Sequence, residues 1–339
     1  GTLSISYDFD APDESPQYYL IGGIKLLDSS NDTIYREARM WGIANDSPIV
    51  VDDTNLVAWV RADKDIYTNT TLTTAATVSG DLVAGWKDQT VIENNFTQTT
   101  SGLRPLYLAA NHADAINFHP SIDIDGDGGD YLISTSDLLN NSKGGTVFAV
   151  GAFDNACSTW GTLLEEGSAD NGNNPMFGIH CTTTTDHKPY WYDSQVGTPD
   201  TAPTLGVTTE QPFLLGFNWA TPAVTATAIG ASLNGADESF GTFIHTTGAG
   251  SGVQTKISEQ NGEGWNGQLS ELIVYQEDLS QPNRDLIESY LSMKYGITLA
   301  QVNGTTGTDF VTKSQNGTTL SVFDASVSVD IAANSTGNI

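Results

Sequence analysis

The sequence predicts an all-β protein: an antiparallel two-sheet sandwich with one amphipathic helix and small β appendages at both ends. Three observations predict it. Short apolar runs recur along the chain, separated by Gly-, Asn- and Asp-rich turns, with no helical pattern between them. Only 16% of the 339 residues are charged while glycine numbers 34, a composition that suits strands and turns rather than helices. A convincing 3.6-residue period appears once, over 281–295.

Residues 1–48 form an N-terminal β segment, in which LSISYDFD and YYLIGGIKLL read as strands around the turn-rich APDESPQ. The stretch NDSPIVVDDTN then punctuates the chain before the strand Leu56–Val60, and 49–299 forms the sandwich. Its clearest strands are GTVFAVGAF (145–153), FLLGFNW (213–219), AVTATAIGASL (223–233) and QLSELIVY (268–275). In HKPYWYDSQ (187–195), strand alternation puts Tyr190 and Tyr192 on one face and Trp191 on the other. The helix begins at the N-cap Ser280, with Pro282 in the first turn, where it costs no hydrogen bond. Leu286, Ile287, Tyr290 and Leu291 share one face, Arg284 and Glu288 stand at i,i+4, and Gly296 is the stop. Residues 300–339 form a C-terminal β segment with strands near 309–313 and 320–323.

Charge excludes several partners. Forty-one acidic residues against 13 basic ones give a formal net charge of −28, which repels phosphate backbones, so no nucleic acid is expected. No apolar run approaches the ~20 residues of a membrane span, so no membrane insertion is expected either. Divalent cations and basic partners are attracted. The two cysteines, Cys157 and Cys181, are either isolated buried thiols or a disulfide worth ~3 kcal/mol of loop entropy.

Three stretches together resemble a known pattern: LVAWVRADKDI (56–66) with VAGWKDQ (83–89), then RPLYLAAN…INFHPSIDIDGDGGDYL (104–132), then WNGQLSELIVYQEDLSQPNRDLIESYLSMKYGITL (265–299). In this order they resemble the concanavalin A-like, laminin-G-like jelly-roll module of large secreted adhesin-type bacterial surface proteins. The resemblance implies a jelly roll and an extracellular, cell-surface location. It implies little chemistry, because the fold hosts lectins, adhesins, glycan-cleaving enzymes and spacers.

Two groups of residues are candidates for binding. Asp123, Asp125, Asp127 and Asp130, with glycines between them, form a run that can fold round calcium, with Asp88 as a further ligand. The same run also reads as a turn entering a strand. Tyr190, Trp191, Tyr192, Trp160 and Trp265 lie in or beside turn-rich segments, where exposed rings offer platforms to sugar faces. For catalysis, Glu165 and Glu166 are adjacent acids, but no Glu-x-Asp-type run occurs, so no enzyme is expected. The expected function is a non-catalytic extracellular adhesion module that binds a glycan or cell-surface ligand, with calcium as a supporting ion. The alternative is a structural element of a surface layer, filament or gliding appendage, pairing with neighbouring domains or copies. A polysaccharide-degrading enzyme ranks third.

Overall fold

A computed structural model describes residues 18–21, 25–36, 41–44, 54–139, 143–154, 160–166, 176–183, 186–192, 200–202, 204–220, 227–243, 254–258, 263–299, 310–313 and 319–323. The strand expected over LSISYDFD and the cysteine Cys157 lie outside these residues. β1 (Tyr18–Ile21), β2 (Lys25–Leu27), β3 (Thr33–Arg36) and β4 (Trp41–Ala44) form two antiparallel pairs, β1 with β4 and β2 with β3. Then come β5 (Leu56–Arg61), β6 (Ile66–Tyr67), β7 (Gly85–Trp86), β8 (Phe96–Thr97), β9 (Leu106–Leu108), β10 (Ser121–Asp125) and β11 (Leu132–Ser134). The longer strands follow: β12 (Gly145–Phe153), β13 (Trp160–Glu166), β14 (Met176–Thr183), β15 (Asp186–Tyr192), β16 (Asp200–Thr201) and β17 (Pro212–Trp219). β18 (Thr227–Leu233), β19 (Ala236–Phe243), β20 (Thr255–Ile257) and β21 (Asn266–Tyr275) lead to α1 (Gln281–Tyr295) and a last pair, β22 (Phe310–Lys313) with β23 (Thr319–Phe323).

Two antiparallel sheets make the sandwich. One has the order β19-β18-β17-β12-β21-β10-β9, with β5 also paired to β21; the other runs β16-β15-β14-β13-β20-β11-β8-β7-β6. The first half of β21 pairs with β10 and its second half with β5. Between the sheets lies an apolar core that includes Trp86, Phe153, Phe177, Phe217, Leu269 and Leu272. Alternate residues of the first sheet point the other way, and α1 covers them. Phe148, Val150, Leu214 and Ile273 pack there with Leu286, Ile287 and Leu291. β12 and β21 are therefore buried on both faces, which is why GTVFAVGAF reads as an unbroken apolar run rather than as an alternation.

The helix occupies the span expected for it. Gly296 closes it in the left-handed conformation (φ 67°), and its N–H bonds the Ser292 carbonyl. Two local expectations need correction. Ser280 stands at the N-cap but makes no side-chain cap bond. Arg284 donates to the Leu279 carbonyl at 2.7 Å and to Gln281, while Glu288 turns inward to the Ser232 hydroxyl at 2.6 Å. The i,i+4 spacing placed the pair on one flank; burial of that flank drew Glu288 toward the sheet.

One polar cluster binds helix to sheet. Glu271, 1% exposed on β21, accepts from Trp59 Nε1 at 2.7 Å, Tyr290 Oη at 2.9 Å, Tyr295 Oη at 2.8 Å and Lys294 Nζ at 2.8 Å. Lys294 also approaches Asp63 at 3.4 Å, and Arg61 grips the same Asp63 through two nitrogens at 2.5 and 2.6 Å. Burial would raise the Asp63 carboxyl, but the Arg61 hydrogen bond and the Lys294 charge outweigh it and hold the group below its usual range. These residues come from WVRAD, SELIVY and YLSMKYG, so the opening and closing motifs of the sequence meet here.

Candidate binding face

The register of β13, β14 and β15 builds a row across the outer side of the second sheet. Trp160 stands opposite His180, and His180 opposite Lys188. Two residues along, Gly178 stands opposite Tyr190. The Trp160 and His180 rings stack with centroids 4.0 Å apart and planes at 27°, and the Tyr190 ring lies 4.9 Å from Trp160. Thr162 and Tyr190 share a hydroxyl hydrogen bond of 2.7 Å. Trp160, His180, Lys188 and Tyr192 are half-buried, whereas Tyr190 is covered. The row therefore places an indole, an imidazole and an ammonium side by side, in a chain with only 13 basic residues.

The alternation expected at 190–192 holds: Trp191 points inward. Trp191 stacks on Phe177 at 5.2 Å and 13° and abuts Trp219 at 5.1 Å, deep in the core. Trp265 is also in the core, fully buried with its ring edge-on to Phe153 at 5.0 Å. Neither ring offers a face to a sugar. The structure thus divides the five aromatic candidates: Trp160, Tyr190 and Tyr192 share the outer side of one sheet, and Trp191 and Trp265 pack inside. The link of His180 and Lys188 to Trp160 comes only from cross-strand register.

The four aspartates at 123–130 take up other work. Asp123 accepts from Gln268 Nε2 at 3.0 Å, and Asp125 accepts the Gly128 N–H at 2.8 Å. Asp130 accepts the Asp125 N–H at 3.3 Å and donates its own N–H to the Asp125 carbonyl at 3.0 Å. Gly126 is required at this turn, because a Cβ there would lie 2.3–2.4 Å from the backbone of Gly264 and Trp265. Burial, with the Asp125 and Asp123 charges behind it, pushes the Asp130 carboxyl up to about 6, and burial also raises Asp123. Asp127 is exposed. Among the described residues no three or more His, Cys, Asp or Glu side chains converge as metal ligands would. Asp88 lies in its own turn, where it accepts from the backbone of Trp59, Thr90 and Asn94 and from the Thr90 hydroxyl.

The acids Glu165 and Glu166 are both buried. Glu165 pairs with Lys256 Nζ at 3.3 Å; Glu166 accepts the Leu139 N–H at 3.2 Å and faces the Asp137 carboxyl. Burial first, and then Asp137, pushes Glu166 up to about 10. A polar cavity of about 500 Å³ is lined by Asn55, Lys143, Gln276, Glu277 and Asp278, whose side chains already bond one another or their neighbours. Cys181 is disulfide-bonded, and the one other cysteine in the sequence is Cys157. No helix among the described residues is long and apolar enough to cross a membrane.

No family model matches the chain, and no curated protein matches it. Several solved structures are similar to it. Domain 4 of AbnA, a GH43 extracellular arabinanase from Geobacillus stearothermophilus, is 15% identical with a TM-score of 0.42, covering 70% of this chain and 98% of that one. Trypanosoma rangeli sialidase is 12% identical with a TM-score of 0.44; the match covers 72% of this chain and only 34% of the sialidase. The binding domain of Paraclostridial Mosquitocidal Protein 1 is 10% identical with a TM-score of 0.45, covering 70% of this chain and 52% of that one. At these scores the likeness is distant.

Proposed function

We propose that the chain is a non-catalytic, extracellular binding module of a larger bacterial surface protein, and that its ligand is a glycan. The row Trp160–His180–Lys188 carries the reading. An indole ring suits the apolar side of a pyranose, while imidazole and ammonium suit its hydroxyls or a carboxylate. Lys188 favours sugars that bear a carboxylate, such as uronates. The disulfide at Cys181 supports an oxidising, exported setting, and the charge of −28 supports a surface kept soluble in salt. The engagement of Glu165 and Glu166 inside the protein counts against hydrolysis, which needs two carboxyl groups flanking a scissile bond. Calcium support is part of the proposal.

A glycan panel followed by calorimetry tests the face. Trp160→Ala is expected to weaken binding at least about tenfold, or about 1.4 kcal/mol, with Trp160→Phe restoring part of it. Lys188→Gln is expected to abolish any preference for carboxylate-bearing sugars. A blank panel, or unchanged affinity in both Trp160→Ala and Lys188→Gln, would overturn the reading.

A second reading, a structural element or spacer, is favoured by the three two-stranded sheets outside the sandwich: β1–β4, β2–β3 and β22–β23. Among the described residues each pair has no third strand, and such edges are surfaces for neighbouring domains or copies. Light scattering across a wide concentration range separates the two. Concentration-dependent assembly would favour the structural element.

A further inference from the structure

The chain between β11 and β12 crosses the ends of β20 and β13, and hydrogen bonds hold it there. The Thr255 hydroxyl receives the Leu138 N–H at 3.0 Å and donates to the Ser136 carbonyl at 3.0 Å. Glu166 Oε1 receives the Leu139 N–H, and Gln276 Nε2 donates to the Asp137 carbonyl at 2.9 Å. The backbone of this crossing is therefore well satisfied. Its carboxyl groups are not. Glu166 is 2% exposed, yet its Oε2 has no donor among the described residues, and the buried Oδ1 of Asp137 has none either. The Leu139 N–H bond to Glu166 and the Leu138 N–H bond to Thr255 set Asp137 beside Glu166, and the Asp137 charge acts on the Glu166 carboxyl.

When both groups are ionised their free oxygens are acceptors only, and a buried acceptor without a donor costs more than a satisfied bond contributes. Something positive belongs between them. We propose that Asp137 and Glu166 bind a hard divalent cation of the calcium or magnesium kind through Asp137 Oδ1 and Glu166 Oε2. The half-buried Asp137 leaves one side open to solvent, where water completes the coordination, as is usual for such ions when protein supplies only one or two carboxylates. The charge of −28 raises the local concentration of any divalent cation. This site differs from the 123–130 turn, where Asp123, Asp125 and Asp130 each accept a bond from Gln268 or the turn's own backbone and Asp127 is exposed. It gives a place to the calcium support proposed above and so rests on that part of the reading, while the glycan row is tested separately, since cation binding is measured without a sugar.

The test is calorimetry and thermal unfolding of the full chain in ~0.15 M sodium chloride, where loose surface binding is screened. Calcium chloride and magnesium chloride are the separate probes. One stoichiometric event with a raised melting temperature is expected for at least one ion. Asp137→Asn and Glu166→Gln should each weaken it at least tenfold, while Asp125→Asn leaves it intact. Both substitutions are near-isosteric, and Asp137→Asn, at a half-buried position, keeps the test open if Glu166→Gln folds poorly. No event with either ion would overturn the proposal and leave a shared proton between the two groups. An event unchanged in both variants would overturn it as well.

Discussion

Glu271 and Glu166 are glutamates of near-equal burial, at 1% and 2% exposed, on central strands of opposite sheets. Their surroundings differ completely. Glu271 receives four side-chain donors, one of them a lysine ammonium, from one strand of the sequence's first motif and the helix of its last. Glu166 receives one backbone N–H and confronts a second carboxyl group. Burial alone therefore does not say what a carboxylate is for; the donor count does. A fully satisfied carboxylate fastens elements together, and an under-satisfied one marks a place where an ion or proton enters.

The largest expected effect comes from breaking the satisfied site. Glu271→Ala leaves an ammonium, two phenols and an indole N–H without their acceptor, and is expected to cost about 3–5 kcal/mol in urea unfolding. Glu271→Gln keeps the shape but strands the Lys294 charge between one amide and Asp63, so it should cost clearly more than Glu166→Gln. The latter is expected to fall within about 1 kcal/mol of wild type, because its amide supplies a donor to Asp137. Equal losses in the two Gln variants would remove the distinction between the sites.

A third buried glutamate tests the gradation. Glu288 on α1 has one side-chain donor, Ser232 on β18, with Asp237 of β19 and Asp285 and Arg284 of its own helix around it. Burial above all, then the Asp237 and Asp285 charges, pushes its carboxyl up to about 8 from an ordinary 4.5, against the pull of Ser232 and Arg284. Below pH 4.5 both folded and unfolded chains hold this proton, and its contribution to stability is complete. Between 4.5 and about 8 the folded chain keeps a proton that the unfolded chain has released, so stability falls by up to about 1.4 kcal/mol per pH unit. Above that window the contribution stays lost. Melting temperatures from pH 5 to 9 should decline less steeply in Glu288→Gln than in wild type; parallel curves would mean that Glu288 is ionised throughout.

The architecture was legible in the sequence because it rests on period and punctuation. The helix at 281–295 and the strands at 145–153 and 268–275 follow from spacing alone. Alternation at 190–192 also separated Tyr190 from Trp191 correctly. It could not say which side faced the core, since that depends on the partner sheet, and so Trp191 was read as a ligand when it packs against Phe177 and Trp219. Trp265 misled for a related reason: a turn-rich neighbourhood resembles an exposed one, but Ser258 anchors its backbone N–H at 3.0 Å and the ring folds inward. Contacts between distant segments were beyond reach. Glu271 meets Trp59 and Glu166 meets Asp137 only once β5, β11, β13 and β21 have taken their places.

The smallest effects belong to the acidic turn at 123–130, whose sequence reads both as a calcium loop and as a turn entering a strand. Alternating aspartates and glycines describe a calcium loop and a tight strand-entry turn equally well, because both need short side chains that accept hydrogen bonds. In the fold the turn's own N–H groups and Gln268 each take an oxygen of Asp125, Asp130 and Asp123. Asp125→Ala is thus expected to cost about 0.5–1.5 kcal/mol, the worth of the bond to Gly128, and exposed Asp127→Ala no more than about 0.5 kcal/mol. Neither should alter a cation titration. A calcium event lost in Asp127→Ala would place the ion in the turn, and the donor count at Glu166 would then have to be met by a proton.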